Sequence, residues 1–284
     1  MNKFVISVDS ACDMSAELIE KYNVSVIPLH VTLGDKEYFD GVDITVQEVY
    51  AYTEEHKKPP KTSAVSVGEF VEYFEKLLKD NEAVVHFSIT SESSATHQNA
   101  ALAAAEFDNV YAIDSRCFSA GSSILAIKGA ELIEELGVEK AVEEIKKLPE
   151  ISDGGVILET LEYMKYSGRC SSVTTLGANL LGIKPALDVV NGAFVLGKKY
   201  RGKYNVAVKK YIADRFENVN VLDRRVAIAE GCVGEELLAL IKEAILETGK
   251  VDEILVMRMG CVISAHVGPN AFGIVFYDTN RQKG

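Results

Sequence analysis

Hydroxyl side chains follow apolar runs at several places in this chain. Val5-Ile6-Ser7-Val8 leads into Asp9-Ser10, and Lys61-Thr62-Ser63 stands just before a helical stretch. Val84-Val85-His86-Phe87-Ser88-Ile89 leads into Thr90-Ser91-Glu92-Ser93-Ser94-Ala95-Thr96, and Val110-Tyr111-Ala112-Ile113 into Asp114-Ser115. Small hydroxyls beside helix N-terminal amides suit an anion, a phosphate or a carboxylate. Thr62 or Ser94 could equally do no more than cap a helix, satisfying an orphan amide. Several such segments on one sheet edge shift the balance toward a bound anion.

Asp9, Asp13 and Asp114 stand at the ends of apolar runs. Strand-end carboxylates can hold Mg²⁺ for phosphoryl transfer, or can organise their own loops. No GxxxxGK[ST] or GxGxxG segment is present, so no nucleotide motif supports the metal option. His266 lies between Gly260 and Gly268-Pro269-Asn270. Flanking glycines predict a tight loop in which backbone approaches something closely. A Ser94–His266–Asp9 hydrolase triad would lack the G-x-S-x-G elbow that presents such a nucleophile. Arg169, in Ser167-Gly168-Arg169-Cys170, ends a helical stretch. Its guanidinium could grip an oxyanion or cap the helix. Lys198, Lys199, Arg201, Lys203, Lys209 and Lys210 form a basic island. It could meet an acidic partner or a phosphate, or be the solvated end of a hairpin.

The elements that must position these residues fall into two patterns. The first half alternates: strand 3–9, helix 14–22, a strand over 24–33 interrupted by Pro28, a short strand near 36–40, and helices 45–57 and 67–79. Strand 83–89, helix 94–106, strand 109–113 and helix 119–136 follow. A proline within a strand predicts an edge or a bulge. Such alternation predicts a parallel, Rossmann-like sheet with helices on both faces, and loops after parallel strands gather at one edge where ligands bind. After helix 138–147 and Pro149 the pattern changes. Asn191-Gly192 between two apolar runs is a strong hairpin cue. With strands 154–159, 224–230, 251–257 and 271–277 and helices 160–167, 204–216 and 234–248, it predicts an α+β unit. Its mainly antiparallel sheet should carry helices on one face. The expected domains are thus 1–149, α/β, and 150–284, α+β.

Composition narrows the function classes. The chain has 284 residues, enough for one large or two ordinary domains. A net charge of −12 argues against a nucleic-acid surface and against anionic membranes. No apolar stretch approaches the ~20 residues needed to span a bilayer. The N-terminus reads as a first strand rather than a signal peptide. The five cysteines, none at CxxC spacing, suit reduced thiols and a cytoplasmic location.

The ordered motifs resemble the DegV family. Asp9-Ser10-Ala11-Cys12-Asp13 is similar to its opening Asp-Ser-x-x-Asp. Lys61-Thr62-Ser63-Ala64-Val65-Ser66-Val67-Gly68-Glu69-Phe70 resembles its Thr-Ser-x-Pro-Ser-x-x-x-Phe, with Val65 in place of proline. Ser93-Ser94-Ala95-Thr96-His97-Gln98-Asn99-Ala100 resembles Leu-Ser-Gly-Thr-Tyr-Gln-Ser-Ala, with Ala95 and His97 as departures. Asp114-Ser115, Gly168-Arg169, Ile183-Lys184-Pro185 and His266-Val267-Gly268-Pro269 continue the match in order, Asn270 replacing a final glycine. The resemblance implies a protein that is not itself catalytic and needs no cofactor or metal. It would hold a long-chain fatty acid and present the carboxylate to the ATP-binding subunit of a fatty acid kinase, which makes an acyl phosphate for phospholipid metabolism. It implies Thr62, Ser63, Ser94, Thr96, Arg169 and His266 at the ligand and Arg201 at the kinase. The alternative from the residues alone is a small-molecule phosphotransferase using Mg²⁺ and the strand-end carboxylates.

Overall fold

A computed structural model describes residues 3–171 and 182–283. In the first half the apolar runs become β1 (Val5–Asp9), α1 (Ala16–Lys21), β2 (Val24–Ile27), β3 (His30–Leu33), β4 (Lys36–Phe39), α2 (Val46–His56), β5 (Lys61–Ser63) and α3 (Val67–Leu78). Then come β6 (Val84–Ser88), α4 (Thr96–Ala104), β7 (Val110–Asp114), α5 (Ala120–Leu136) and α6 (Val138–Ile145). Four strands form a parallel sheet in the order β2-β1-β6-β7. Successive strand residues face opposite sides. His86 meets the rings of Phe70 and Phe74 in α3, while Phe87 lies against Gly129 of α5. Helices therefore cover both faces, as the alternation predicts.

Pro28 does more than mark an edge. The predicted strand 24–33 divides there: β2 is the edge of the parallel sheet, and β3 leaves to form a small antiparallel sheet, β4-β3-β5. This sheet was not expected, because Lys61–Ser63 is too short to show a period. It matters because Thr62 sits on β5, paired with Val31. The reciprocal Ser66–Glu69 capping box starts α3 three residues after β5 and fixes where that strand ends.

The second half provides β8 (Ser152–Ile157), α7 (Glu162–Ser167), β9 (Ile183–Val190), β10 (Ala193–Arg201), α8 (Tyr204–Arg215), β11 (Arg225–Glu230), α9 (Glu235–Leu246), β12 (Glu253–Arg258), α10 (Cys261–Val267) and β13 (Phe272–Tyr277). Its six-stranded sheet runs β10-β9-β8-β13-β11-β12, antiparallel except for β11 with β12. The hairpin turns at Asn191-Gly192, both with positive φ. Ile157, Val226, Ile228 and Ile274 face α8 and α9 in one apolar cluster.

The expectation of helices on one face of this sheet is corrected. Val156, Ala227, Ala229 and Val275 belong to the same core as the first half, with α5 against them. Helix α5 packs on β1 and β6 on one side and on β11 and β13 on the other. Its glycines permit this: a Cβ on Gly129 would lie 2.5 Å from the Phe87 ring, and one on Gly121 would lie 2.1 Å from Cys117 Sγ and 3.4 Å from Val275. No helix among the described residues is long and apolar enough to cross a membrane.

Candidate functional site

The predicted tight loop over 260–270 is a short helix, α10, with the glycines outside it. Gly260 precedes its first residue, and Gly268, at φ +78°, ends it. The close approach is real: a Cβ on Gly268 would fall 2.5 Å from the Tyr163 ring. Helix α10 packs against α2, α7, β3 and β5. On its last turn His266 meets Thr62, with Thr62 Oγ1 and His266 Nε2 2.9 Å apart and either able to donate.

This pair opens onto a cavity of about 270 Å³. Its polar wall comprises Thr62, Ser63, Ser93, Ser94, Arg169 and His266. The rest is mainly apolar and includes Leu29, Ile89, Phe118, Met164, Phe194 and Ile263. An apolar chamber with a few convergent polar groups is the form that binds small amphiphiles. Ile89, Ser93 and Ser94 follow β6 and Phe118 follows β7, so the cavity stands at the carboxyl ends of the parallel strands.

Five of the six ligand residues expected from the sequence, Thr62, Ser63, Ser94, Arg169 and His266, line one cavity. The sixth does not. Thr96 is fully buried, and its hydroxyl lies 2.8 Å from that of Ser94. Thr96 braces Ser94 instead of reaching the cavity. Ser94 also accepts the Thr96 N–H at 3.2 Å, so it holds the first amide of α4 and lines the cavity at once. Arg169 likewise has both geometries: its Nη1 donates to the Ser167 carbonyl at 2.6 Å, at the end of α7, while the side chain borders the cavity. Arg201 is exposed at the end of β10, away from the cavity lining, with Lys199, Lys203, Lys209 and Lys210 also exposed. Lys198 pairs with Asp214 at 2.7 Å.

Burial, with the Arg169 charge adding to it, pushes the His266 imidazole down to about 3. The ring is therefore neutral near pH 7 and offers one N–H and one lone pair.

The strand-end aspartates engage donors of the chain itself. Asp9 accepts the Ile89 N–H at 2.7 Å, and Asp114 accepts from the Ser91 hydroxyl at 2.6 Å and the Arg116 N–H at 2.8 Å. Asp13 accepts from the Ser119 hydroxyl and from the Gly260 N–H at 2.8 Å. These are the loop-organising contacts the sequence also allowed. Asp40 was not singled out in the sequence, yet it belongs with them. It accepts the Cys261 N–H at 2.8 Å and the Ser10 hydroxyl at 2.9 Å, and Ser10 Oγ in turn accepts the Leu29 N–H at 3.0 Å. Burial raises Asp9 to about 7 and pushes Asp13 and Asp40 upward. Phe118 and Phe194 were also missed, because a cavity-lining aromatic looks like any core aromatic in sequence.

The family model for uncharacterised proteins of the DegV family matches residues 3–279. A DegV domain-containing protein of Caldanaerobacter subterraneus subsp. tengcongensis is 32% identical over 282 residues, covering 97% of this chain and 99% of its own. A fatty acid-binding DegV family protein from Thermus thermophilus superposes with a TM-score of 0.86 at 28% identity, over 97% of this chain and 99% of that one. A stearic acid-binding protein from Eubacterium ventriosum gives a TM-score of 0.81 at 29% identity over 100% of both chains. This chain belongs to the DegV family.

Proposed function

We propose that this protein binds one long-chain fatty acid, its carboxylate among Thr62, Ser63, Ser94, Arg169 and His266 and its tail among the apolar walls. The observation that carries the reading is the Thr62–His266 pair at the polar wall of an otherwise apolar cavity. Three hydroxyls, a neutral imidazole and a guanidinium supply donors for a carboxylate without an unpaired buried cation. Each buried CH₂ of the tail adds ~0.8 kcal/mol, which favours retention of a long chain. The fatty acid-binding relatives from Thermus thermophilus and Eubacterium ventriosum support the ligand class.

The protein then acts as a carrier in the cytoplasm and not as an enzyme. Lobes 1–149 and 150–284 enclose the ligand between them. A separate ATP-binding kinase transfers the terminal phosphoryl group of ATP to a carboxylate oxygen, giving an acyl phosphate and ADP. The exposed island around Arg201 is the docking surface for that kinase, because a cationic patch on a chain of net charge −12 steers an acidic partner.

Chloroform extraction of freshly purified protein followed by mass spectrometry tests the reading. A stoichiometric long-chain fatty acid is expected. Protein that carries none, and binds none when offered palmitate or oleate, overturns it.

A further inference from the structure

We infer that Thr96 is a positioning residue: it fills both lone pairs of the Ser94 hydroxyl, so that Ser94 can only donate, and its proton is held for the ionised carboxylate of the ligand. The inference rests on the fatty-acid reading above.

The direction of one hydrogen bond decides the matter. The Ser94 and Thr96 hydroxyl oxygens lie 2.8 Å apart, and one of the two donates to the other. Thr96 is fully buried, and its hydroxyl has no other hydrogen-bond partner among the described residues. If Ser94 were the donor, the Thr96 proton would be buried without an acceptor, and an unmade buried donor is costly. Thr96 therefore donates and Ser94 accepts. Ser94 Oγ also accepts the Thr96 N–H at 3.2 Å. A hydroxyl oxygen carries two lone pairs, and here one residue occupies both. What remains to Ser94 is its own proton, on a side chain that lines the cavity.

The local sequence produces this arrangement. Ala95 stands at the cap of α4 and has no side-chain acceptor, so the first amide of the helix turns to Ser94 instead. That amide belongs to the positive end of α4, and two donors on one oxygen polarise its O–H toward a stronger outward bond. The helix is itself fixed in place. Ala100 and Ala103 are fully buried, and Asn99 Nδ2 donates at 2.7 Å to the carbonyl of Val65, three residues beyond Thr62. Thr62 differs from Ser94, because it can give or take a proton at His266. Ser94 is the hydroxyl whose polarity the fold has set, and that polarity suits a carboxylate, which can only accept.

The test uses palmitate carrying 13C at its carboxyl carbon, bound to wild type, Thr96→Val, Thr96→Ser, Ser94→Ala and the Ser94→Ala/Thr96→Val double variant. The carboxyl signal is followed as a function of pH, and palmitate affinity is measured at pH 8. Arg169 and His266 are the charged or titratable side chains lining the cavity among the described residues, and both are present in every variant. Thr96→Val should raise the carboxyl midpoint by about one pH unit and weaken binding about tenfold, because an oriented donor favours the ionised form. Thr96→Ser, which keeps the hydroxyl, should stay within twofold of wild type. In the Ser94→Ala background Thr96→Val should change neither quantity further. A merely structural role would lower affinity equally in both backgrounds and leave the carboxyl midpoint where it was. Thr96→Ala replaces the valine variant if that one does not fold. Wild-type midpoint and affinity in Thr96→Val, or the same loss in the Ser94→Ala background, overturn the positioning role and leave the fatty-acid reading intact. A wild type that binds no palmitate overturns the reading on which the role rests.

Discussion

Asp13 and Gly260 are 247 positions apart, and the carboxylate of one accepts the backbone N–H of the other at 2.8 Å. Beside them Asp40 takes the N–H of Cys261 at the same distance. Two carboxylates from the first half thus receive the amides that open α10, where the helix carries its partial positive charge. Val262, Ile263, His266 and Val267 of that helix line the cavity.

Replacing Asp13 by alanine should leave the Gly260 amide and the Ser119 hydroxyl without their acceptor. The cost should be on the order of 1–3 kcal/mol of stability. Asp13→Asn keeps an acceptor for Gly260 and can donate to Ser119, so it should lose less. Thermal unfolding of both variants checks the order, and equal midpoints for wild type and Asp13→Ala would show that the clamp contributes nothing.

The buried carboxylates and imidazoles should oppose one another as pH changes. His86 and His266 are each held down to about 3, so between about pH 6.5 and 3 the unfolded chain binds more protons and acid destabilises the fold through them. Asp9, raised from 3.8 to about 7, acts in the other direction. Its folded form keeps a proton that the unfolded chain has released, so its cost grows as pH rises from about 4 to 7. Asp9→Asn should therefore be more stable than wild type at pH 8, by up to ~4 kcal/mol, and should lose that advantage by pH 4. Urea unfolding at both pH values measures the gap, and a gap that does not change with pH refutes the assignment.

Thr62→Val and Ser94→Ala should each weaken fatty-acid binding by on the order of 1–3 kcal/mol, because the carboxylate loses a donor on desolvation. Thr62 is the stronger test, since valine keeps its shape on β5. Affinity should fall more than the unfolding midpoint. Unchanged affinity in both variants would reduce these hydroxyls to structural groups.

Arg201→Glu should leave fatty-acid affinity as in wild type, because Arg201 is exposed and outside the cavity lining. It should slow acyl-phosphate formation in an assay containing the kinase and ATP, and by more than Arg201→Ala, since repulsion adds to lost attraction. Raised salt should imitate the defect. Wild-type turnover in Arg201→Glu would return the island to a solvated hairpin end.

The period of apolar residues made the long elements legible: the parallel strands, α5 and the Asn191-Gly192 hairpin all stand where the pattern puts them. Short elements were not. Lys61–Ser63 and Cys261–Val267 are three and seven residues long, too short for a period to emerge. The polar wall was readable as a set of candidates, and the family resemblance joined them. Nothing in their spacing says that Thr62 and His266, 204 positions apart, touch. Thr96 shows the converse limit, because a hydroxyl that lines a cavity and one that braces its neighbour are the same letter. Asp40 falls at the end of the short strand expected near 36–40, and only the folded chain reveals what its carboxylate holds.

Helix α5 has a consequence for how the molecule is made. It is synthesised well before β11 and β13, the strands that cover its second side. The last of these strands to leave the ribosome, β13, belongs between β8 and β11, inside the sheet and not at its margin. Until it arrives, the nascent chain carries a bare apolar helix face and two unpaired strand edges, the features that make partly folded chains associate. Translation must therefore run through β13 before the protein can close its core, and until then the growing chain exposes surfaces prone to association.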